Sequence, residues 1–257
     1  MAFKISFLGT GTSQGVPLIA CACKVCQSHD SKDKRLRSSI KIDYEGSVIV
    51  IDSGPDFRQQ MLRTNTLRLD ALLFTHEHKD HIAGMDDIRA FNYSLKQAID
   101  VYAHERVQEA LKREFQYIFS DFKYPGVPEV NLHELKANQS LSLCGLNILP
   151  IEVMHFKLPV LGFRINDFTY ITDANSISEA SKDLIRGSKV LVLNALRHET
   201  HISHFTLDEA IALAHELQIP QVYLTHISHQ LGRHEQVQAT LPAGISLAYD
   251  GLEILMD

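Results

Sequence analysis

The run Thr75-His76-Glu77-His78-Lys79-Asp80-His81 places three imidazoles and a carboxylate within six residues, directly after the apolar stretch Asp70 to Phe74. On an extended backbone His76 and His78, two apart, project to the same side and can share one cation. Asp80 and His81 then serve a second. Two cations a short distance apart turn a bound water into hydroxide near neutral pH and clamp a substrate oxyanion between charges. Such a pair needs more ligands than this run supplies, and three apolar runs end in a candidate. His155 follows Leu149 to Val153, Asp173 follows Tyr170-Ile171-Thr172, and His226 follows Val222-Tyr223-Leu224-Thr225. Strand ends are where α/β folds present functional groups.

A second set is thiol-based. Cys21, Cys23 and Cys26 fall within six residues, too close for long-range disulfide stapling, and in a reducing cytosol they read as a thiolate metal site. Soft sulfur ligands favour zinc, and four protein ligands would leave no open position for chemistry. His29, three residues past Cys26, is near enough in sequence to be the fourth. Cys144 stands alone and reads as a small core side chain.

These residues need a frame. Apolar runs at Ile5 to Leu8, Ser39 to Ile42, Val48 to Ile51, Ala71 to Phe74, Asn147 to Val153, Leu161 to Ile165, Thr169 to Ile171, Val190 to Leu193, Val222 to Leu224 and Ile245 to Ala248 predict strands. Helical periodicity predicts helices over Pro55 to Arg63, Ile82 to Phe91, Glu105 to Phe119, Ile177 to Ile185 and Thr206 to Leu217, the last with Thr206 and Glu209 in capping-box spacing. Strands and helices alternate without a short repeat or a low-complexity linker, so one layered α/β domain over residues 1–257 is expected. A zinc-binding loop is expected near 21–29. The stretch from about 94 to 138, the least regular, is a candidate cap.

With 45% hydrophobic and 22% charged residues among 257, the composition is that of an ordinary folded domain. A net charge of −6 argues against charge-driven binding to nucleic acid or an acidic membrane. No run of eighteen apolar residues predicts a membrane span, and no leader pattern is seen, so a cytoplasmic location is expected. Lys32 to Arg37 is the one concentrated basic stretch, either a solvated loop or a phosphate-docking patch.

The order Asp52-Ser53-Gly54, HxHxDH, His155, Asp173 and His226 resembles the metallo-β-lactamase superfamily of four-layer αββα sandwich hydrolases, over essentially the whole chain. Within it, Gly9-Thr10-Gly11, the CxCxxC, Leu224-Thr225-His226-Ile227-Ser228-His229-Gln230 and Asp250-Gly251-Leu252-Glu253-Ile254 are similar to the phosphoribosyl 1,2-cyclic phosphate phosphodiesterases of phosphonate degradation. The resemblance implies that His76, His78 and His155 hold one metal and Asp80, His81 and His226 the other, with Asp173 bridging. It implies that Asp52 orients the histidines, that His229 rather than His29 completes a structural zinc site, and that the catalytic metals are manganese or zinc.

The function so implied is metal-assisted hydrolysis of a small phosphodiester, with Asp80 orienting the attacking water or accepting its proton. The leaving alkoxide also needs a proton, and a histidine suits that role near pH 7. His204 resembles the general-acid histidine of related phosphodiesterases, with His198 and His201 as substrate contacts or loop residues. Asn194 departs from the acidic residue of the similar family and, with the loop Arg197 to His204, is expected on the substrate side. The rival readings are a tRNA 3′-processing endonuclease, a glyoxalase-type thioesterase, a lactamase, or a metal-stabilised binding protein without turnover. The substrate partner is expected to be small, with no nucleic acid and no membrane, and the oligomeric state is open, a homodimer included.

Overall fold

Apolar runs punctuated by Gly, Asp and Asn become fourteen strands: β1 (Phe3–Gly9), β2 (Ser39–Tyr44), β3 (Ser47–Ile51), β4 (Ala71–Leu73), β5 (Ile99–Ala103), β6 (Val130–Glu134), β7 (Leu141–Leu143), β8 (Leu146–His155), β9 (Leu158–Ile165), β10 (Phe168–Tyr170), β11 (Val190–Asn194), β12 (Gln221–Thr225), β13 (Ile245–Leu247) and β14 (Glu253–Met256). Eight α-helices accompany them: α1 (Phe57–Arg63), α2 (Lys79–Ile82), α3 (Arg89–Leu95), α4 (Glu105–Glu114), α5 (Gln116–Phe119), α6 (Glu179–Ile185), α7 (Leu207–Glu216) and α8 (His234–Gln238). This computed structural model describes residues 2–122 and 124–256, so Met1, Lys123 and Asp257 lie outside the described residues and these counts are of the described ones.

The chain divides into two compact units, each built on one seven-stranded sheet. The first unit comprises Met1–Leu8, Ser39–Lys136 and Glu253–Asp257. Its strand order is β14-β1-β2-β3-β4-β5-β6, parallel from β3 to β6 and antiparallel where β14 meets β1 and β2 meets β3. Phe57 and Met61 of α1, Phe91 of α3, and Val107 and Leu111 of α4 pack with Val50, Leu72 and Val101 in one buried cluster. Each such fully buried side chain contributes about 1.5–3 kcal/mol. Parallel strands joined through helices put their C-terminal ends on one edge, and the histidine run follows β4 there.

The second unit comprises Gly9–Ser38 and Ala137–Leu252, with strand order β13-β12-β11-β10-β9-β8-β7. Strands β10 to β13 are parallel and β7 to β10 form an antiparallel meander. Helix α7 is opened by the capping box read from the sequence: Thr206 Oγ1 accepts from the Glu209 amide, and the Glu209 carboxylate accepts from the Thr206 amide. Its apolar face, Leu207, Ala210, Leu213 and Ala214, joins Leu191, Leu193, Val222 and Leu224 in the core.

Some elements differ from the sequence reading. The stretch expected to be irregular carries β5, α4, α5 and β6, so most of it is built into the first sheet and its helices. The expected helix at Ile82 to Phe91 is instead α2, a 3-10 turn over Met85–Ile88, and α3. The expected helix at Glu105 to Phe119 breaks at Phe115, where φ is −120° and ψ 46°. Cys144 is half-buried rather than core: with φ of 50°, and Gly145 at 84°, it forms the tight turn between β7 and β8.

Candidate metal centre and active site

In the first unit, His78 is extended at φ −64° and ψ 149° as the residue before α2, and Asp80 and His81 occupy that helix. His76 and His81 are buried, Asp80 half-buried and His78 exposed. His76 Nε2 lies 3.0 Å from His78 Nδ1, so two ring nitrogens converge on one point. Thr75 Oγ1 donates to Asp52 Oδ2 at 2.8 Å and lies 3.0 Å from His76 Nδ1, where it accepts the ring proton and leaves Nε2 as the lone-pair nitrogen. His81 Nδ1 donates to Asp52 Oδ2 at 2.7 Å, which turns its Nε2 toward Asp80 Oδ2 at 3.1 Å. Asp52 thus fixes two imidazoles, one through Thr75, in the manner of a carboxylate that sets ligand tautomers. Burial pushes its carboxyl up, and His81 and Thr75 oppose that. Glu77 turns aside to Arg106 Nε at 2.8 Å.

Backbone lacing explains why Asp52 meets His81. The Ser53 amide donates to the His81 carbonyl at 2.8 Å, and the Gly84 amide to the Ser53 carbonyl at 2.8 Å. A Cβ on Gly84 would stand 2.1 Å from the Gly54 carbonyl oxygen, so the two loops close only over glycine.

In the second unit, His204 Nε2 donates to Asp173 Oδ1 at 3.0 Å, and His226 Nε2 is 3.2 Å from the same oxygen. The two rings stack, with centroids 4.9 Å apart and planes 12° apart. His155 Nδ1 donates to the Ser203 carbonyl at 2.8 Å, which directs its other nitrogen inward; ligand atoms of His155, Asp173 and His204 lie within 4.8 Å of one another. Thr172 Oγ1 donates to Asp173 Oδ2 at 2.6 Å. Thr12 Oγ1 and Ser38 Oγ flank the His226 ring at 3.3 and 3.2 Å. Asp173 and His226 carry positive φ, 58° and 56°, as does Asp52 at 64° in the first unit. Each such residue costs about 1–2 kcal/mol, a strain found at functional sites.

The thiol set is also within the second unit. Sγ of Cys21, Cys23 and Cys26 and a ring nitrogen of His229 lie within 4.8 Å of one another, with His229 Nδ1 3.4 Å from Cys21 and 3.3 Å from Cys23. A tetrahedral zinc with about 2.3 Å bonds to sulfur spaces its ligands ~3.7 Å apart, so these donors suit it. The Cys26 amide, then His229, draws the Cys23 thiol down to about 6, whereas burial pushes Cys26 up to about 11. His29 is outside the group.

Residues 48–227 match the beta-lactamase superfamily domain. The chain belongs to that superfamily. A crystal structure described as a new diphosphatase from the PhnP family is 40% identical and superposes with a TM-score of 0.94, covering 100% of this chain and 98% of the other. The chain is therefore PhnP-like, with the metallo-β-lactamase fold. An octanoyltransferase of Porphyromonas gingivalis is 38% identical over 252 residues, 97% of this chain but 51% of its own length, so the chain spans about half of that relative. Zn(2+)-bound PqqB from Methylobacterium extorquens shares the fold at 19% identity and a TM-score of 0.78, covering 98% of this chain and 99% of the other.

In this PhnP-like chain His76, His78, Asp80, His81 and Asp52 gather in one unit and His155, Asp173, His204 and His226 in the other. One sequence expectation is corrected. The basic stretch is no open patch: Arg35 is buried, donating to Thr10 Oγ1, the Ala248 carbonyl and His234 Nδ1, and Lys34 Nζ donates to the Cys26 carbonyl. Asn194 is fully buried, accepting from the Ala174 amide and donating to the Ala174 carbonyl, both at 2.8 Å. It braces the turn that carries Asp173. His201 Nδ1 sits 3.1 Å from His204 Nδ1, and burial, then His204, holds it below the usual imidazole range. His198 Nε2 donates to the Leu231 carbonyl. Sequence reasoning missed Thr75, Thr172, Thr12, Ser38 and the Ser203 carbonyl, all adjacent in space to histidines. Only Thr75 and Thr172, each directly preceding a candidate ligand, had a local signal.

Proposed function

We propose that the chain, residues 1–257 acting as one domain, is a dinuclear metal-dependent phosphodiesterase for a small phosphodiester, cyclic esters such as phosphoribosyl 1,2-cyclic phosphate included. In this reading His76, His78 and His155 hold one ion, Asp80, His81 and His226 the other, and Asp173 both. Nitrogen and oxygen donors of this kind suit manganese or zinc, and the thiol set suits a structural zinc. When bound, the paired ions supply a hydroxide nucleophile and neutralise charge on the phosphoryl oxygens. Asp80 orients the attacking water, and Asp52 keeps the imidazoles in register.

The observation that carries the reading is the 3.0 Å contact of His204 Nε2 with Asp173 Oδ1. Ser203 Oγ stands 3.0 Å from the opposite ring nitrogen, so the imidazole is held at both ends. An anchored imidazole beside the reacting centre is what a poor alkoxide leaving group requires, whereas a thiolate departs without a proton. That favours a phosphodiester over a thioester. The likeness to a PhnP-family diphosphatase supports phosphorus as the centre attacked, and diphosphate-linked esters belong in the same substrate class. The thiol set supports a cytoplasmic setting, where thiols stay reduced.

The test is turnover of bis(p-nitrophenyl) phosphate with added manganese, followed by a panel of phosphoribosyl cyclic phosphate, 2′,3′-cyclic nucleotides, diphosphate diesters, a thioester and a pre-tRNA. Hydrolysis of the small phosphodiesters is expected. His204→Ala should lose about 10²-fold on an alkyl diester and much less on the nitrophenyl ester. Turnover of the thioester alone would contradict the reading, and equal losses on both esters would remove His204 as the acid.

A further inference from the structure

We propose that a pocket of the first unit, between α3 on one side and Tyr117 and residues 124–127 on the other, binds the base of a nucleotide. The pocket measures about 550 Å³ and is lined by Arg89, Tyr93, Tyr117, Tyr124, Gly126 and Val127, with Pro125 beside them. Tyr93 and Tyr124 are 67% and 73% exposed. Large aromatic rings this exposed, lining one pocket among the described residues, carry a hydrophobic cost that marks a surface made to be covered.

The walls are fixed rather than fluid. The Asp86 carboxylate accepts from Tyr117 Oη and pairs with Arg89 at 3.3 Å, so one acid sets both a ring and a guanidinium. Asn92, in the adjoining recess, ties α3 to the chain beyond Val127: its Nδ2 donates to the Gln97 and Glu129 carbonyls at 2.9 and 2.8 Å, and its Oδ1 accepts from the Glu129 amide at 3.0 Å. Gly126, at φ 93°, makes room for Tyr93, because a Cβ there would stand 2.8 Å from the Tyr93 hydroxyl. A preorganised slot of this kind loses little entropy on binding.

The lining chooses the ligand. Tyrosine faces stack on any planar base, and the half-exposed Arg89 adds a cation for stacking or for a phosphate. A second recess of about 240 Å³, sharing Arg89, Tyr93, Gly126 and Val127, adds Lys96 as a second cation and Glu129 as an acid. The ligand class is thus a heteroaromatic ring joined to an anion. Pocket volumes of this order hold one such molecule. The inference does not rest on the catalytic reading.

Calorimetric titration of the metal-loaded protein with AMP and with ribose 5-phosphate tests it, because the difference between them isolates the base from any phosphate contact elsewhere. AMP should bind at least roughly tenfold tighter than ribose 5-phosphate. In a Tyr93→Ala/Tyr124→Ala variant that gap should close, while Tyr93→Phe, which keeps the ring, should retain it. Equal affinities for the two ligands in the wild type, an undiminished gap in the double variant, or saturable binding of a proline-rich peptide in place of AMP would overturn the proposal. Phosphodiester turnover is a separate readout, so its failure leaves this outcome legible.

Discussion

Two clusters of metal-type side chains share the second unit, and they are built on opposite principles. Cys21, Cys23 and Cys26 lie on a segment with no regular element among its described residues, held by turn bonds such as Cys21 amide to Leu18 carbonyl and Gln27 amide to Cys23 carbonyl. Its own apolar cluster is small, Val16, Val25 and Cys26 with a few half-buried neighbours. His155, Asp173 and His226 instead sit at the ends of strands packed into the large core, and two of them hold strained backbone. A loop without a core gains order from a closed cross-link; a rigid sheet edge can carry strain and leave positions open for chemistry. One short segment serves both, since His226 belongs to one cluster and His229 to the other. Ile227 between them is pinned, its amide donating to the Thr10 carbonyl and its carbonyl accepting from the Thr12 amide. That pin lets the two histidines be fixed independently.

The comparison can be broken most forcefully at Asp173. Asn tolerates the same positive φ but removes the charge, so Asp173→Asn should lose about 10²-fold or more of bis(p-nitrophenyl) phosphate turnover with little change in melting temperature. Loss of folding in that variant would mean the strand-end cluster is structural. Cys26→Ser should do the reverse, lowering the melting temperature markedly and releasing zinc, while any folded fraction keeps its turnover. Unchanged thermal stability would show that the thiol loop needs no cross-link.

Asn194→Asp sharpens the picture of strain at the sheet edge. A carboxylate would face the Ala174 carbonyl where an amide now donates, costing about 1–3 kcal/mol in urea unfolding. A neutral result would show that the turn behind Asp173 needs no brace. The smallest effect is expected at His234, which burial, then Arg35, depresses to about 4 from the usual 6.5 while it accepts from Arg35 Nη2 at 3.1 Å. Its neutral form is the folded one, so the stability it contributes is full above pH 6.5 and falls as pH drops toward 4. Urea unfolding at pH 7 and pH 5 should show a shallower acid loss in His234→Gln than in the wild type; equal slopes would assign the acid sensitivity elsewhere.

Much of this was legible in the residues. HxHxDH and the apolar runs ending in His155, Asp173 and His226 announce themselves because strand ends and ligand chemistry coincide there. The strands β6 and β14 were hidden because Val-Asn-Leu-His-Glu mixes polar with apolar residues and Glu-Ile-Leu-Met offers only three apolar residues, and both carry exposed positions. Strand β5 alternates buried and half-buried residues, a pattern lost beside the helical sequence that follows. The choice of His229 over His29 came from the family resemblance, since spacing alone favoured the nearer histidine. Arg35 misled because charge on paper suggests solvent, whereas Thr10, Ala248 and His234 give its guanidinium buried partners.

The account stands on two metal sites with separate duties. Elemental analysis of wild type, Cys26→Ser and Asp173→Asn, each purified without chelators, tests this directly. Three ions per chain are expected in the wild type, with Cys26→Ser short of one zinc and Asp173→Asn depleted only of the other pair. A wild type carrying a single ion, or either variant emptying both sites together, would contradict it.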